Sequence, residues 1–285
     1  MTRQVEVIGH RGARGLFPEN TLEGFSAAAA MGVTAFELDV GLTADDVAVV
    51  SHDLALNPSI TRDAQGKWLA GEWPLIRMLA YDALCTFDVG RIRPGTAYRL
   101  AHRHQKPHDG ARIPRLEDVL RAVPHARFII ELKTDPRFPG RTATPEYMAE
   151  AVLAIVDKLN ASRRVVIESF DWRGPRHVRR LWPDIQLAWL TRAETVCDAV
   201  LWWEIDSAVL SVPAAVAHEG GQYWAPAWDT LTRSAVTEAH ALGLKVIPWT
   251  VNRRAPMRRL VTWAVDGLIT DRPDIAAQEI QSARL

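Results

Sequence analysis

The chain has 285 residues, of which 48% are hydrophobic and 24% are charged, and its 34 basic residues balance 34 acidic residues. This composition is typical of a globular protein, and the lack of a basic excess argues against general nucleic-acid binding. Cys85 and Cys197 lie far apart in sequence, which excludes a disulfide framework and a cysteine-rich zinc site. The sequence shows neither a signal-peptide pattern nor an apolar run of ~20 residues. We therefore expect a cytoplasmic protein without stable membrane insertion.

Short apolar segments alternate with amphipathic segments along the chain. The predicted strands are 5–11, 35–40, 127–133, 164–170, 186–190, 207–212, 245–251 and 267–271. The predicted helices are 21–31, 116–123, 146–159, 173–182, 193–203, 233–242, 256–265 and 273–283. Short strands that alternate with helices are typical of parallel βαβ units. Eight such repeats in a chain of this length favour an α/β fold, a single TIM (β/α)8 barrel domain over residues 1–285.

An open dinucleotide-binding sheet is the alternative fold, and the first strand is not followed by the glycine-rich turn that such a sheet needs. More than seventy residues separate the second strand from the helix at 116–123. The pattern of residues 46–53 predicts an additional extended segment. We also predict a small inserted subdomain at 57–112, because structureless loops of that length are unusual. Inserts after barrel strands lie over the active-site mouth. We therefore expect 57–112 to select substrates while barrel residues perform the chemistry.

Carboxylates interrupt two of the predicted strands near their ends, where a barrel places its active site. The second strand carries Glu37 and Asp39, and the third carries Glu131. Alternate residues of a strand share one face, so these three carboxylates would converge and repel one another unless they are neutralised. Oxygen ligands suit one divalent cation, Mg²⁺ or Ca²⁺, better than they suit zinc. A set of ion pairs at the barrel rim is the alternative, and the convergence of all three favours the metal.

Two histidines also lie at predicted strand ends. His10 closes the first strand and His52 follows the second, and the ordinary pKa of imidazole near ~6.5 suits a general acid or base. Arg11 lies next to His10, and Lys133 shares a strand face with Glu131. The forked donors of arginine and the point charge of lysine both suit phosphate oxygens. Together with a metal, these side chains indicate a phosphate ester as the substrate.

The motifs HRG, PENT, ELDV, HD, IIELK, ESF, WTVN and DGLITDRP occur in this order between residues 7 and 273. Together they resemble the glycerophosphodiester phosphodiesterase family, and the HRG–PENT and ELDV–HD blocks are the most specific. The resemblance covers nearly the whole chain and implies a TIM barrel with an insert after the second strand. It implies a site with catalytic His10 and His52, metal ligands Glu37, Asp39 and Glu131, phosphate-contacting Arg11 and Lys133, and Trp249 in the pocket wall.

The family cleaves deacylated phospholipids to an alcohol and sn-glycerol 3-phosphate, so the resemblance implies a small-molecule glycerophosphodiester as the substrate. It implies a reaction in which a glycerol hydroxyl attacks phosphorus to give a cyclic phosphate, which water then opens. One histidine would take a proton and the other would give one to the leaving alcohol. The chain departs from the family pattern at Asp45-Asp46, where Asp-Gly is usual, and this change affects a turn.

Two other functions are alternatives to this hydrolysis. A phospholipase D-type hydrolase acting on lysophospholipids needs an apolar channel or a membrane-facing loop, and the polar segment 99–112 argues against it. A barrel that binds phosphodiesters without cleaving them would lack a histidine or a carboxylate of the set, and none is missing. The sequence carries no pattern that indicates a head-group preference or an oligomeric state.

For several other polar residues we expect structural roles rather than a role in the active site. His102, His104 and His108 lie near Asp109, and although a second metal site is conceivable, this composition favours a solvated polar loop. For Asn20 we expect a cap on the following helix rather than a contact with ligand, because asparagine is a favoured N-cap residue.

Overall fold

The computed structural model describes residues 5–205 and 210–283. Within that part, the strands are β1 (Glu6–His10), β2 (Ala35–Leu42), β3 (Ala48–Val50), β4 (Arg127–Leu132), β5 (Val165–Ser169), β6 (Gln186–Thr191), β7 (Tyr223–Pro226), β8 (Lys245–Val246) and β9 (Gly267–Thr270). The helices are α1 (Leu22–Ala30), α2 (Tyr81–Leu84), α3 (Ala97–Ala101), α4 (Leu116–Ala122), α5 (Pro145–Lys158), α6 (Arg173–Leu181), α7 (Ala193–Cys197), α8 (Ala199–Trp203), α9 (Val212–His218), α10 (Arg233–Ala241), α11 (Arg254–Thr262) and α12 (Pro273–Ser282).

Eight parallel strands form a nearly closed barrel in the order β8-β7-β6-β5-β4-β2-β1-β9, and β3 pairs antiparallel with β2. Backbone hydrogen bonds between β9 and the segment that follows β8 bridge the remaining gap in the barrel. Val251 N donates to Ile269 O over 2.9 Å, and Ile269 N donates to Pro248 O over 3.0 Å. These features confirm the predicted TIM barrel.

The barrel strands are apolar on both faces, which is typical of a parallel sheet covered by helices. One face packs against the helices, where Phe36 of β2 meets Phe25 of α1 with ring centroids 5.6 Å apart. The other face fills the barrel interior with a cluster that includes Ile8, Ala35 and Ile129. Because alternate residues share a face, the interior rows that begin with these side chains continue towards the carboxyl ends of the strands. The sequence pattern thus places polar side chains at the carboxyl end of the barrel, next to the apolar cluster that fills its interior.

The structure corrects the prediction for segment 207–212. Residues 207–209 lie outside the described residues, and Val212 is the first residue of helix α9 rather than part of a strand. The Ser211 hydroxyl caps this helix by accepting a hydrogen bond from Ala214 N over 3.2 Å. The barrel strand between β6 and β8 is instead β7, a four-residue segment that the sequence analysis did not assign.

Two other elements differ from their predicted extents. The strand predicted at 245–251 pairs as a regular ladder only over Lys245–Val246. Pro248 follows closely and has no N–H to donate to a neighbour. The helix predicted at 193–203 is divided at Asp198 into α7 and α8.

Segment 57–112 contains helices α2 and α3 and contributes to a small apolar cluster that is separate from those of the barrel. That cluster contains Leu56, Ile76, Leu84, Val89 and Ile113, together with Val49 of β3. The division of the chain into a barrel and an inserted subdomain stays a prediction. No helix among the described residues is long and apolar enough to cross a membrane.

Candidate active site

The predicted site residues gather around one cavity at the carboxyl end of the barrel. This cavity has a volume of about 520 Å³. Seven of the eight predicted residues line it: His10, Arg11, Glu37, His52, Glu131, Lys133 and Trp249. The eighth, Asp39, is only 1% exposed and contacts this set from below. The structure therefore brings together every residue that the sequence analysis selected for the site.

Three buried carboxylates converge in this cavity, as the strand pattern predicts. Asp39 of β2 is directly opposite Glu131 of β4 in the ladder, and Glu37 precedes Asp39 on the same strand face. One carboxylate oxygen from each residue lies within 4.8 Å of the others. Burial raises the pKa of Glu131 to about 7 and raises the pKa of Glu37, with neighbouring carboxylates adding to both shifts. This grouping disfavours the fully ionised state and leaves room for a cation.

Two cations compensate part of this negative charge. Lys133 Nζ lies 2.8 Å from Glu131 Oε1 and 3.5 Å from Asp39 Oδ1. Arg11 Nε lies 3.3 Å from Asp39 Oδ2, and its Nη1 donates to Glu19 Oε1 over 2.9 Å. Although burial acts in the opposite direction, Arg11 and other cations nearby hold the pKa of Asp39 well below its usual range. The Oδ1 atom of Asp39 nevertheless has no hydrogen-bond partner.

Asn20 contributes to this carboxylate cluster, which corrects its predicted role as a helix cap. Its side-chain amide donates to Asp39 Oδ2 over 3.0 Å, and its backbone has a φ of 54°. The cap of α1 is Thr21, whose hydroxyl accepts from Gly24 N over 3.0 Å. Asparagine tolerates this left-handed conformation better than most residues do, so its position in the loop turns its amide inwards.

His10 is buried and is held by an aspartate from the opposite end of the chain. Its Nδ1 lies 2.5 Å from Asp271 Oδ1, and its Nε2 lies 3.6 Å from Glu37 Oε2. Burial lowers the pKa of His10 to about 4; Asp271 opposes this shift, whereas Arg14 and Arg11 contribute to it. The imidazole is therefore neutral near pH 7. A neutral imidazole that donates from Nδ1 to a carboxylate has a free lone pair on Nε2.

Asp271 was not among the residues predicted for the site, although the sequence carries a signal for it. Asp271 follows β9 directly, in the motif DGLITDRP, so the rule that selected the other strand-end carboxylates applies to it as well. Arg14 binds both of its oxygens, at 3.1 Å from Nε and 3.0 Å from Nη2. Asn252 Nδ2 donates to its Oδ2 over 2.7 Å. Together with His10 Nδ1, these three atoms make four donors that fix the orientation of the Asp271 carboxylate.

His52 lies across the cavity in a more open setting. Its Nδ1 lies 2.7 Å from Asp53 Oδ1, and Asn57 Nδ2 donates to Asp53 Oδ2 over 2.7 Å. Its side chain is 34% exposed, against 9% for His10. Burial of the ring lowers the pKa of His52, and the nearby cations Arg11 and Lys133 lower it further. In both histidines, therefore, Nδ1 faces an aspartate, and the two side chains differ in their exposure to solvent.

Glu168 is a fourth carboxylate that the sequence analysis did not select. It lies on β5 directly opposite Glu131 and is 1% exposed, and its Oε2 has no hydrogen-bond partner. Burial raises its pKa well above the ordinary value, and Glu131 and Asp39 add to this shift. The signal was a charged residue near the end of the apolar segment VVIES, in the interior row of the barrel.

Trp249 forms part of the aromatic wall of the cavity. Its indole Nε1 donates to Ala225 O over 2.9 Å, which fixes the ring. The ring centroid lies 5.4 Å from that of Phe170, in an edge-to-face arrangement. Both aromatic side chains line the cavity beside the carboxylates.

The polar residues of 99–112 do not form a metal site in the described part of the chain, where Glu37, Asp39 and Glu131 are the one such group. Asp109 instead pairs with Arg62 and Arg91. His102 corrects the expectation of a solvated loop, because it is 8% exposed and packs on Tyr98 with ring centroids 4.7 Å apart.

Acid–base groups, clustered carboxylates and cations at the mouth of a (β/α)8 barrel define the class of the protein as a barrel hydrolase of phosphate esters. The model of the glycerophosphoryl diester phosphodiesterase family matches residues 10–275. The chain therefore belongs to this family and is a glycerophosphodiester phosphodiesterase, as the motifs predicted.

Individual relatives agree with this assignment. The chain is 28% identical over 281 residues to a glycerophosphodiester phosphodiesterase of Bacillus subtilis, covering 95% of this chain and 85% of the relative. A crystal structure from Silicibacter pomeroyi, assigned to the glycerophosphoryl diester phosphodiesterases, superposes with a TM-score of 0.92 at 38% identity, covering 100% of this chain and 96% of the other. An Oleispira antarctica phosphodiesterase in complex with the product sn-glycerol-3-phosphate shares the fold, with a TM-score of 0.72 at 21% identity and coverage of 97% and 96%.

Proposed function

We propose that this chain hydrolyses glycerophosphodiesters to an alcohol and sn-glycerol 3-phosphate, with one divalent cation, Mg²⁺ or Ca²⁺, at Glu37, Asp39 and Glu131. The observation that carries the proposal is the convergence of these three carboxylates, with oxygens within 4.8 Å of one another, in a cavity that both histidines line. Family membership supplies the reaction class. The product bound to the Oleispira antarctica relative supports the identity of the phosphate product.

The residues at the carboxylate cluster fit a hard divalent cation. All three donors are carboxylate oxygens, which Mg²⁺ and Ca²⁺ prefer. The buried Oδ1 of Asp39 lacks a hydrogen-bond partner, so one ligand atom is available without breaking an existing bond. When bound, the cation would lower the pKa of a coordinated hydroxyl and shield negative charge on the phosphoryl oxygens.

Arg11 and Lys133 are proposed to bind the phosphate group. Each lines the cavity and is anchored by carboxylates, Arg11 by Glu19 and Asp39 and Lys133 by Glu131. Such anchoring fixes a cation before substrate arrives, and preorganised charge stabilises a transition state better than charge that must first reorient. The backbone N–H of Arg11 donates to Glu37 O over 2.9 Å, which holds the residue beside the carboxylate cluster.

His10 and His52 are proposed as the general acid–base pair. Each directs Nδ1 to an aspartate, Asp271 for His10 and Asp53 for His52. This contact fixes the tautomer, so that Nε2 is the atom that exchanges a proton with substrate. One histidine would take the proton of the attacking hydroxyl while the other gives a proton to the leaving alcohol oxygen.

A product assay tests this function. Purified protein would be incubated with glycerophosphodiesters that carry different head groups and with lysophospholipids, each with and without a chelator. We expect sn-glycerol 3-phosphate from the glycerophosphodiesters, and none after chelation until Mg²⁺ or Ca²⁺ is restored. Cleavage of lysophospholipids alone would instead favour the phospholipase D-type activity. Binding of glycerophosphodiesters without any product would show a non-catalytic barrel.

A further inference from the structure

Segment 57–112 contacts the loop between β1 and α1, which carries the proposed phosphate ligand Arg11. The hydroxyl of Tyr98, in α3, donates to Glu19 Oε2 and lies 3.3 Å from Arg14 Nη1, which donates to it. Gln105 Nε2 donates to Arg14 O over 2.8 Å. Lys106 N donates to the backbone oxygen of the same loop at residue 16, also over 2.8 Å. Four hydrogen bonds thus join the end of this segment to the β1 loop.

Tyr98 joins two series of hydrogen-bonded residues in the proposed active site, and each series is called a branch below. In the first branch, Glu19 accepts from Arg11 Nη1 over 2.9 Å and so holds a proposed phosphate ligand. Although burial acts in the opposite direction, Arg11 and Arg14 lower the pKa of Glu19, so the phenol is the donor in its bond to this carboxylate. One hydroxyl of the segment therefore contacts the carboxylate that positions Arg11.

The second branch leads from Tyr98 to His10. The guanidinium of Arg14 donates to the Tyr98 hydroxyl from Nη1 and to both oxygens of Asp271 from Nε and Nη2. Asp271 in turn lies 2.5 Å from His10 Nδ1. His102 packs against the Tyr98 ring, and its Nδ1 lies 3.9 Å from Asp271 Oδ2. Two side chains of the segment, Tyr98 and His102, therefore support Asp271, the carboxylate that orients His10.

We propose that Tyr98 is a positioning residue for the hydrolysis, because its hydroxyl couples the Glu19–Arg11 branch to the Arg14–Asp271–His10 branch. This inference rests on the proposed function and changes the expectation that 57–112 only selects substrates. A small displacement of a base or a phosphate ligand lowers the rate of the chemical step. The effect of Tyr98 should therefore fall on kcat and be the same for every head group.

The variant Tyr98→Phe tests this inference, because it keeps the ring on His102 and removes both hydrogen bonds. We expect kcat to fall about 10-fold, short of the ~10²-fold that a 1 Å misplacement can cause. We expect KM to stay within about 2-fold and to change equally for every head group, since Arg11 keeps its contacts with Glu19 and Asp39 and loses only part of its preorganisation. The matched control is Tyr81→Phe in the same segment, whose ring lies under Arg115 at 4.4 Å and which should keep full activity.

The outcomes separate this inference from the proposed function. No product from the unchanged protein would overturn both. An active parent with an unchanged kcat in folded Tyr98→Phe would overturn the role of Tyr98 alone. A rise in KM that differs between head groups would show substrate selection and would also overturn it.

Two further variants keep the inference testable. In an Arg14→Gln background, Tyr98→Phe should cost less than it does alone, because one of the two branches is already broken. If Tyr98→Phe does not fold, Gln105→Ala removes the other side-chain bond to the loop and should also lower kcat. Full activity in folded Gln105→Ala would then contradict the support of the loop by this segment.

Discussion

Replacing Asp271 by asparagine should prevent His10 from acting in proton transfer, although the two side chains have the same shape. Asp271 accepts from four donor atoms: His10 Nδ1 and Arg14 Nε on Oδ1, and Arg14 Nη2 and Asn252 Nδ2 on Oδ2. An amide has only one oxygen, so its NH₂ group must face two of these donors. The amide of Asn252 cannot rotate freely to relieve this conflict, because its Oδ1 already accepts from the backbone N of residue 271 over 2.9 Å.

The favoured solution turns the new NH₂ group towards the imidazole, because His10 alone can change from donor to acceptor at Nδ1. The ring proton then moves to Nε2, where the proposed exchange with substrate takes place. Loss of the correct tautomer costs on the order of 10²–10⁴ in kcat for a general base of this kind. The lower bound corresponds to about 2.7 kcal/mol of transition-state stabilisation. Arg14 Nε, which also faces Oδ1, would be left without an acceptor, and this should cost about 1–3 kcal/mol of folding free energy.

The assay is release of sn-glycerol 3-phosphate at saturating substrate, with thermal unfolding measured on the same samples. Asp274→Asn is the matched control, because Asp274 forms a similar two-oxygen contact, with Arg272 at 2.9 and 2.7 Å, but lies outside the active-site cavity. We expect that control to keep full activity. A folded Asp271→Asn variant with more than half of the parent kcat would refute the assignment of Asp271 to His10.

The remaining predictions concern the metal and the histidines. Excess chelator should abolish turnover and added Mg²⁺ or Ca²⁺ should restore it, because converging carboxylates need a cation; full turnover in chelator, with no metal by elemental analysis, would exclude this. His10→Ala and His52→Ala should each lower kcat by at least ~10²-fold, while circular dichroism shows a retained fold. Near-normal turnover in either variant would remove that histidine from the mechanism.

The barrel and most of the site could be predicted because their signals are local. Glu37 and Asp39 interrupt an apolar strand, and strand periodicity alone places their side chains on one face. β7 could not be assigned in the same way, because its four residues YWAP carry no alternation and end in proline. It is recognised as a strand through its backbone pairing with β6 and β8. Short barrel strands of this kind depend on their neighbours for their identity.

The supporting residues of the site depend on contacts between distant parts of the chain. His10 and Asp271 are 261 residues apart, and Arg14 and Tyr98 are 84 residues apart. No periodicity links such pairs, and a single sequence shows Tyr98 only as one aromatic residue in a polar segment. The barrel nevertheless makes the first pair understandable, because β1 and β9 are adjacent where the sheet curves round, so residues at their ends must meet. The same closure carries Arg14 towards Asp271, and the rigidity of a closed barrel then holds His10 in register with the carboxylates of β2 and β4.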